Sequence, residues 1–263
     1  MSAIIIDSGL VHYEAIGRGK PIIFIHGWLG SWRYWMPTME VVSDRYRTYA
    51  LDLWGFGDSD KSPSRYTVDS YVSLISGFMD AMGIIRAPII GHSLGAVVAL
   101  LLSDRQPDIV ARLMTVSLPI AGTAISRKLL SGSDSLIDRL IGRKQAQASY
   151  PDVALEADKA DINAVGTIAR ALETMDLRDT LESQDMPTLV VHGEKDSIIA
   201  PPESDWLDES DHYSNVRSLT FKDSLHFPMI EEASKFQRLL RDFLEMANLD
   251  ALELKDEWRR RSR

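Results

Sequence analysis

The sequence predicts an α/β protein in which helices cover both faces of a mostly parallel sheet. Three observations carry this. Short, continuously apolar runs alternate along the chain with longer amphipathic ones, the pattern of strands buried on both faces and of the helices that cross between them. His26, Ser93, Asp196 and His226 each stand just after such a run. That gathers them at one edge of the sheet, where ligands bind in proteins of this class. Finally, Gly91-His92-Ser93-Leu94-Gly95 lies between apolar runs at 87–90 and 96–102, which puts a serine at the tip of a strand–turn–helix.

Residues 4–6 and 11–15 read as two short strands joined by a turn at Asp7-Ser8-Gly9. Residues 21–25, Pro-Ile-Ile-Phe-Ile, are apolar throughout and end at His26-Gly27, as a buried strand does. Residues 47–51 form another, ending at Asp52. Residues 66–82 carry Tyr71, Leu74, Ile75, Phe78 and Met82 at helical spacing, and Gly83 follows as a terminator. After the serine turn come strands at 113–118, 188–191 and 216–221, and a closing helix at 232–246. Residues 119–187 break this rhythm. They contain no convincing strand but helical patches at 135–141, 153–159 and 162–175. A plain connection is far shorter, so the segment reads as a helical insertion.

Composition narrows the function classes. The 263 residues suit one large domain with an insertion, and 38 acidic against 29 basic residues give a net charge of -9. No nucleic-acid partner is expected. The basic cluster at 259–263 reads as a solvated tail. The absence of cysteine excludes disulfides and thiol catalysis and fits a reducing cytoplasm. No apolar stretch approaches the ~18 residues of a membrane span, and the first residues do not resemble a secretory signal. Oligomeric state is left open.

A serine hydroxyl needs a base to become nucleophilic, and the base needs an orienter. Gly91 and Gly95 fit where the crossing backbones leave no room for a side chain, and the strained turn pushes the Ser93 hydroxyl outward. Three histidines follow Ser93. His192 closes a strand and reads as a packing residue, and His212 sits in a polar loop. His226, in the loop before the closing helix, is the candidate base. For the orienting carboxylate, Glu194 and Asp196 compete in one turn. An oxyanion hole takes two backbone N–H groups, and Leu94 and Trp28 are placed to supply them.

Five ordered segments, His26-Gly27-Trp28, 52–59, 91–95, 187–196 and His226-Phe227-Pro228, together resemble the landmarks of the α/β-hydrolase superfamily over residues 4–245. The resemblance implies the α/β-hydrolase fold: an eight-stranded, mostly parallel sheet, core at 1–118 and 188–247, helical cap at 119–187 and tail at 248–263. It selects Asp196 over Glu194 and implies a catalytic triad of Ser93, Asp196 and His226. Asp223 departs from the glycine that relatives often carry there. Relatives that open epoxides use aspartate at the turn, so Ser93 implies the serine esterase and carbon–carbon hydrolase side. The expected activity is cleavage of a small-molecule carboxylic ester, with no metal or organic cofactor. A carbon–carbon hydrolase or a slow-turnover ligand receptor is the alternative, and the His-Gly-Trp segment is also similar to arylesterases with perhydrolase activity. Trp28, Ile198 and Phe227, with Trp32, Tyr34, Trp35 and Ile199 nearby, are candidates for lining an acyl pocket.

Overall fold

The computed structural model describes residues 2–28, 30–130, 136–202, 215–246 and 249. Eight strands form one sheet in the order β1-β2-β4-β3-β5-β6-β7-β8. They are β1 (Ser2–Ile6), β2 (Gly9–Gly17), β3 (Lys20–Ile25), β4 (Tyr46–Leu51), β5 (Ala87–His92), β6 (Val110–Val116), β7 (Thr188–Gly193) and β8 (Val216–Phe221). β1 and β2 pair antiparallel, as do β2 and β4, and every other pairing is parallel. The first hairpin turns at Asp7 and Ser8, both with positive φ (46° and 64°), which matches the twist of a two-residue connection.

Burial explains the apolar runs. Ile22 to Ile25 in β3 are wholly buried, as are Ile89 and Ile90 in β5. The central helix α3 (Leu94–Arg105) has Leu94 through Ser103 all buried, so it is apolar all round and shows no amphipathic stripe. The helix Ala233–Glu245 does show one: Phe236, Leu239, Leu240, Phe243 and Leu244 face inward. Burying each such side chain contributes about 1.5–3 kcal/mol. Several elements differ from the sequence reading, among them two in the sheet-bearing part. A short helix α1 (Met36–Val42) precedes β4, too short for a full hydrophobic repeat. β6 runs Val110–Val116, where the sequence suggested 113–118, because Ser117 has φ 51° and leaves the sheet.

Between α1 and α3 lies α2 (Val68–Ala81). Among the described residues six short α-helices run between β6 and β7: α4 (Arg127–Leu130), α5 (Leu136–Leu140), α6 (Arg143–Ser149), α7 (Pro151–Ala157), α8 (Ile162–Leu172) and α9 (Arg178–Glu182). They are tied to the sheet-bearing part by polar contacts. Arg33 Nε donates to the buried Glu156 at 2.9 Å, Tyr66 donates to Asp161 at 2.7 Å, and the Asp161 N–H donates to the Gly55 carbonyl at 2.8 Å. After β8 come α10 (Pro228–Glu231) and α11 (Ala233–Glu245). Among the described residues no helix is long and apolar enough to cross a membrane. His212 and the basic tail lie outside the described residues.

Candidate active site

β5 ends at the centre of the sheet and turns at once into α3, with Ser93 between them at φ 54°, ψ −115°. A non-glycine residue held there stores on the order of 1–3 kcal/mol. The crowding is direct. A Cβ on Gly91 would lie 2.2 Å from the Gly95 carbonyl oxygen, and one on Gly95 would lie 2.4 Å from the Ile25 carbonyl oxygen. Only glycines let the two backbones cross. The Ser93 N–H donates to Val116 at 2.8 Å, while its buried Oγ has no hydrogen-bond partner among the described residues. Ser93 and His226 are therefore not hydrogen-bonded to one another here. Such contacts are commonly long before substrate binds and tighten in the complex.

His226 stands in the loop between β8 and α10. Its Nδ1 lies 2.7 Å from Asp196 Oδ2, and both residues are buried. Asp196 Oδ1 accepts the N–H groups of Ile198 (2.8 Å) and Ile199 (3.0 Å). Burial pushes the Asp196 pKa up, but the adjacent His226 and these two N–H donors outweigh it and hold the carboxyl below its ordinary value. Glu194, the competitor, is exposed. His192 lies buried within β7 with its pKa pushed down to about 4 by desolvation, a packing residue as its position suggests.

The loop after β3 packs against the serine turn: a Cβ on Gly27 would meet Ser93 Cβ at 2.8 Å. The Gly27 carbonyl accepts from Gly30 N–H at 3.1 Å and from His26 Nδ1 at 2.8 Å, while His26 Nε2 accepts from Leu53 N–H at 3.0 Å. Burial holds His26 below the usual histidine range, so it stays neutral. With its carbonyl held, the trans Gly27–Trp28 peptide points the Trp28 N–H the other way. Leu94 opens α3, where the first N–H groups of a helix have no partner within it. Neither Trp28 nor Leu94 N–H is bonded to another group among the described residues.

A solvent-open cleft of about 390 Å³ lies over His226. Leu140, Ile141, Gln145 and Tyr150 line it from the insertion, and Ser197, Ile198, Leu225 and Phe227 from the other side. Of the candidate pocket residues, Ile198 and Phe227 line this cleft. Trp28 does not line this cleft, being buried with 2% exposure. Tyr34 and Trp35 also turn away: Tyr34 hydrogen-bonds to Gly27 and His92, and Trp35 packs on Phe24 and Phe236. The sequence reading missed Tyr150, whose hydroxyl donates to Glu231 at 2.5 Å, and Ser117, whose hydroxyl donates to the His226 carbonyl at 3.1 Å. The Tyr-Pro step between two helices was the available signal for the first. Asp223 pairs with Lys195 at the surface, 3.2 Å apart.

His12, Asp52 and Asp58 form a group with metal-ligand spacing. The Asp52 carboxylate already accepts from His12 (2.9 Å), Trp32 N–H (2.8 Å) and Asp58 N–H (3.0 Å), so the group is a structural knot under the Asp52 turn.

A mostly parallel eight-stranded sheet, with a strained serine turn at its centre and a buried histidine–carboxylate pair beside it, is the architecture of the alpha/beta hydrolase fold. The chain belongs to the alpha/beta hydrolase fold family, whose family model matches residues 20–159. It is similar to 2-hydroxymuconate semialdehyde hydrolase of Pseudomonas sp. (strain CF600), 29% identical over 264 residues that cover 90% of each protein. It is also similar to pimeloyl-(acyl-carrier protein) methyl ester esterase of Aeromonas hydrophila, 25% identical over 89% of this chain and 99% of that one. The enol-lactonase from Burkholderia xenovorans LB400 shares the fold, with TM-score 0.79, 21% identity, and 93% of this chain and 100% of that one covered. The match to Epoxide hydrolase 4 of Mus musculus is local. It is 34% identical over 118 residues, 43% of this chain, and spans about a third (33%) of that protein's length.

Proposed function

We propose that the chain hydrolyses small-molecule carboxylic esters through an acyl-enzyme on Ser93. The observation that carries this reading is the 2.7 Å His226–Asp196 pair buried beside a serine held at positive φ. Ser93 Oγ attacks the ester carbonyl while His226 Nε2 takes its proton, and Asp196 stabilises the imidazolium that forms. The Trp28 and Leu94 N–H groups receive the oxyanion. On collapse, His226 returns the proton to the departing alkoxide. Water then attacks the acyl-enzyme, giving its proton to His226, and Ser93 leaves with that proton as the acid is released. Residues 119–187 act in this reading as a cap over a core of 1–118 and 188–247.

Serine chemistry argues against the epoxide reaction named in one relative. A serine that opened an epoxide would form an ether, which water does not cleave, whereas an acylated serine is an ester and turns over. The relative acting on 2-hydroxymuconate semialdehyde favours a second reading, carbon–carbon hydrolysis of an anionic dienoate. The described cleft residues include no lysine or arginine to meet such a carboxylate, which supports the neutral ester. The test is hydrolysis of p-nitrophenyl esters from acetyl to dodecanoyl, beside a dienoate substrate, in wild type and Ser93→Ala. Ester turnover that drops by roughly 10⁴-fold or more in a folded Ser93→Ala variant is expected. Turnover of the dienoate alone would replace this reading with the second.

A further inference from the structure

Two buried side chains that no step above uses connect the oxyanion loop to the base. His92 immediately precedes Ser93 and is 1% exposed. Its Nε2 lies 2.8 Å from the His226 carbonyl oxygen, and its Nδ1 lies 2.9 Å from the Tyr34 hydroxyl. A carbonyl can only accept, so Nε2 carries the proton. Nδ1 is then a bare acceptor, and the Tyr34 hydroxyl must donate to it. The same hydroxyl oxygen accepts the Gly27 N–H at 2.7 Å. One directed chain follows: Gly27 N–H to Tyr34, Tyr34 O–H to His92, and His92 N–H to the His226 carbonyl.

Each link fixes the direction of the next. Burial holds His92 well below the usual histidine range and Tyr34 well above the usual phenol range. Both therefore keep one proton across the working pH, as the chain requires. A second proton on His92 would set an N–H against the Tyr34 hydroxyl and break the order. Gly27 is held at both ends, its N–H by Tyr34 and its carbonyl by His26 and Gly30, so the peptide that carries the Trp28 N–H is fixed in orientation. His226 is likewise held from the backbone side by His92 and from the ring side by Asp196.

On the reading that Ser93 is the nucleophile and His226 the base, we propose that Tyr34 and His92 are positioning residues. Their chain sets the oxyanion-binding Trp28 N–H and the His226 imidazole in fixed register with each other. Neither touches the reacting atoms. Their effect falls on the transition state, in which both loops act at once.

Tyr34→Phe keeps the ring packing against His92 and Phe227 while leaving Gly27 N–H and His92 Nδ1 without partners. The experiment measures kcat and KM for a p-nitrophenyl ester, per serine titrated with an organophosphonate, together with affinity for a trifluoromethyl ketone as transition-state analogue. The titration removes any loss of folded enzyme from the comparison. The expected result is kcat down by about tenfold to a hundredfold, KM changed by less than about threefold, and ketone affinity falling in step with kcat/KM. His92→Gln, which offers an amide N–H and an amide oxygen in place of the two ring nitrogens, is expected to retain activity that His92→Leu loses. That pair carries the comparison if Tyr34→Phe does not fold. Unchanged kcat per titrated serine in Tyr34→Phe and His92→Leu, with Ser93→Ala inactive, overturns the positioning role and leaves the esterase reading standing. Ester hydrolysis that survives Ser93→Ala overturns both.

Discussion

The five buried histidines among the described residues differ because their neighbours differ. His26, His92 and His192 are buried with pKa values pushed down by desolvation, and none makes a hydrogen bond to a carboxylate of the described residues. His226 and His12 each have one, Asp196 and Asp52, through Nδ1 at 2.7 and 2.9 Å. For His12, the Asp52 hydrogen bond lifts the pKa above 6.5; burial opposes it, and the charges on Asp52, Asp58 and Glu14 add to the rise. A pKa raised on folding gives a stabilisation that is complete below the unfolded value and lost as pH climbs through the folded one. Asp196 runs the other way. Its lowered pKa stabilises the fold above about 3.8 and ceases to do so as pH falls through the folded value. His26, His92 and His192, with lowered values, instead lose stability as pH falls toward and below 6.5, so only the difference between wild type and a variant isolates His12. The melting-temperature advantage of wild type over His12→Asn, which is neutral throughout, is expected to shrink as pH rises from about 6 to about 9. Melts of both proteins at a series of pH values check this, and a difference that stays constant with pH would remove His12 as a titrating contributor.

At the scale of elements, the junction of α6 and α7 borders the cleft. Tyr150 sits there, its ring against Phe227 and its hydroxyl on Glu231 of α10. It lines the cleft over His226 and also a second one of about 410 Å³ bounded by Tyr34, Pro37, Met229 and Ile230. Tyr150→Ala removes the shared wall. The preferred p-nitrophenyl ester is then expected to move toward longer acyl chains, with octanoyl gaining on butanoyl by about tenfold in kcat/KM. An unmoved optimum would mean that the acyl group lies elsewhere. The same junction shows why the sequence was legible only in part. Strands β3, β5 and β7 announce themselves as apolar runs, and the turns after them carry His26, Ser93 and Asp196 in readable order. The insertion helices run from four to eleven residues, mostly too short for a hydrophobic repeat to stand out. Tyr34, Ser117 and Tyr150 act through contacts to residues far along the chain. No local spacing encodes that Tyr34 will reach His92, because the contact exists only once the loop after β3 has closed over the serine turn.

The whole molecule adds an electrostatic term to substrate choice. The chain carries a net charge of -9, and the described residues of the cleft over His226 include no cation. A negative field around such a cleft repels an anionic substrate before any contact forms, and salt screens that repulsion over a Debye length of about 10 Å at 0.1 M. A neutral ester feels neither effect. Comparing p-nitrophenyl butyrate with the mono-p-nitrophenyl ester of glutaric acid, close in shape but bearing a carboxylate, isolates the term. The anionic ester is expected to show kcat/KM about tenfold lower at low ionic strength. That gap should narrow as salt is raised, while the neutral ester stays flat. The opposite sign, a preferred carboxylate whose rate falls with salt, would require a cation facing the substrate. It would then favour the anionic carbon–carbon substrate over the neutral ester, because the charge that recognises a dienoate and the charge that recognises the glutarate are the same.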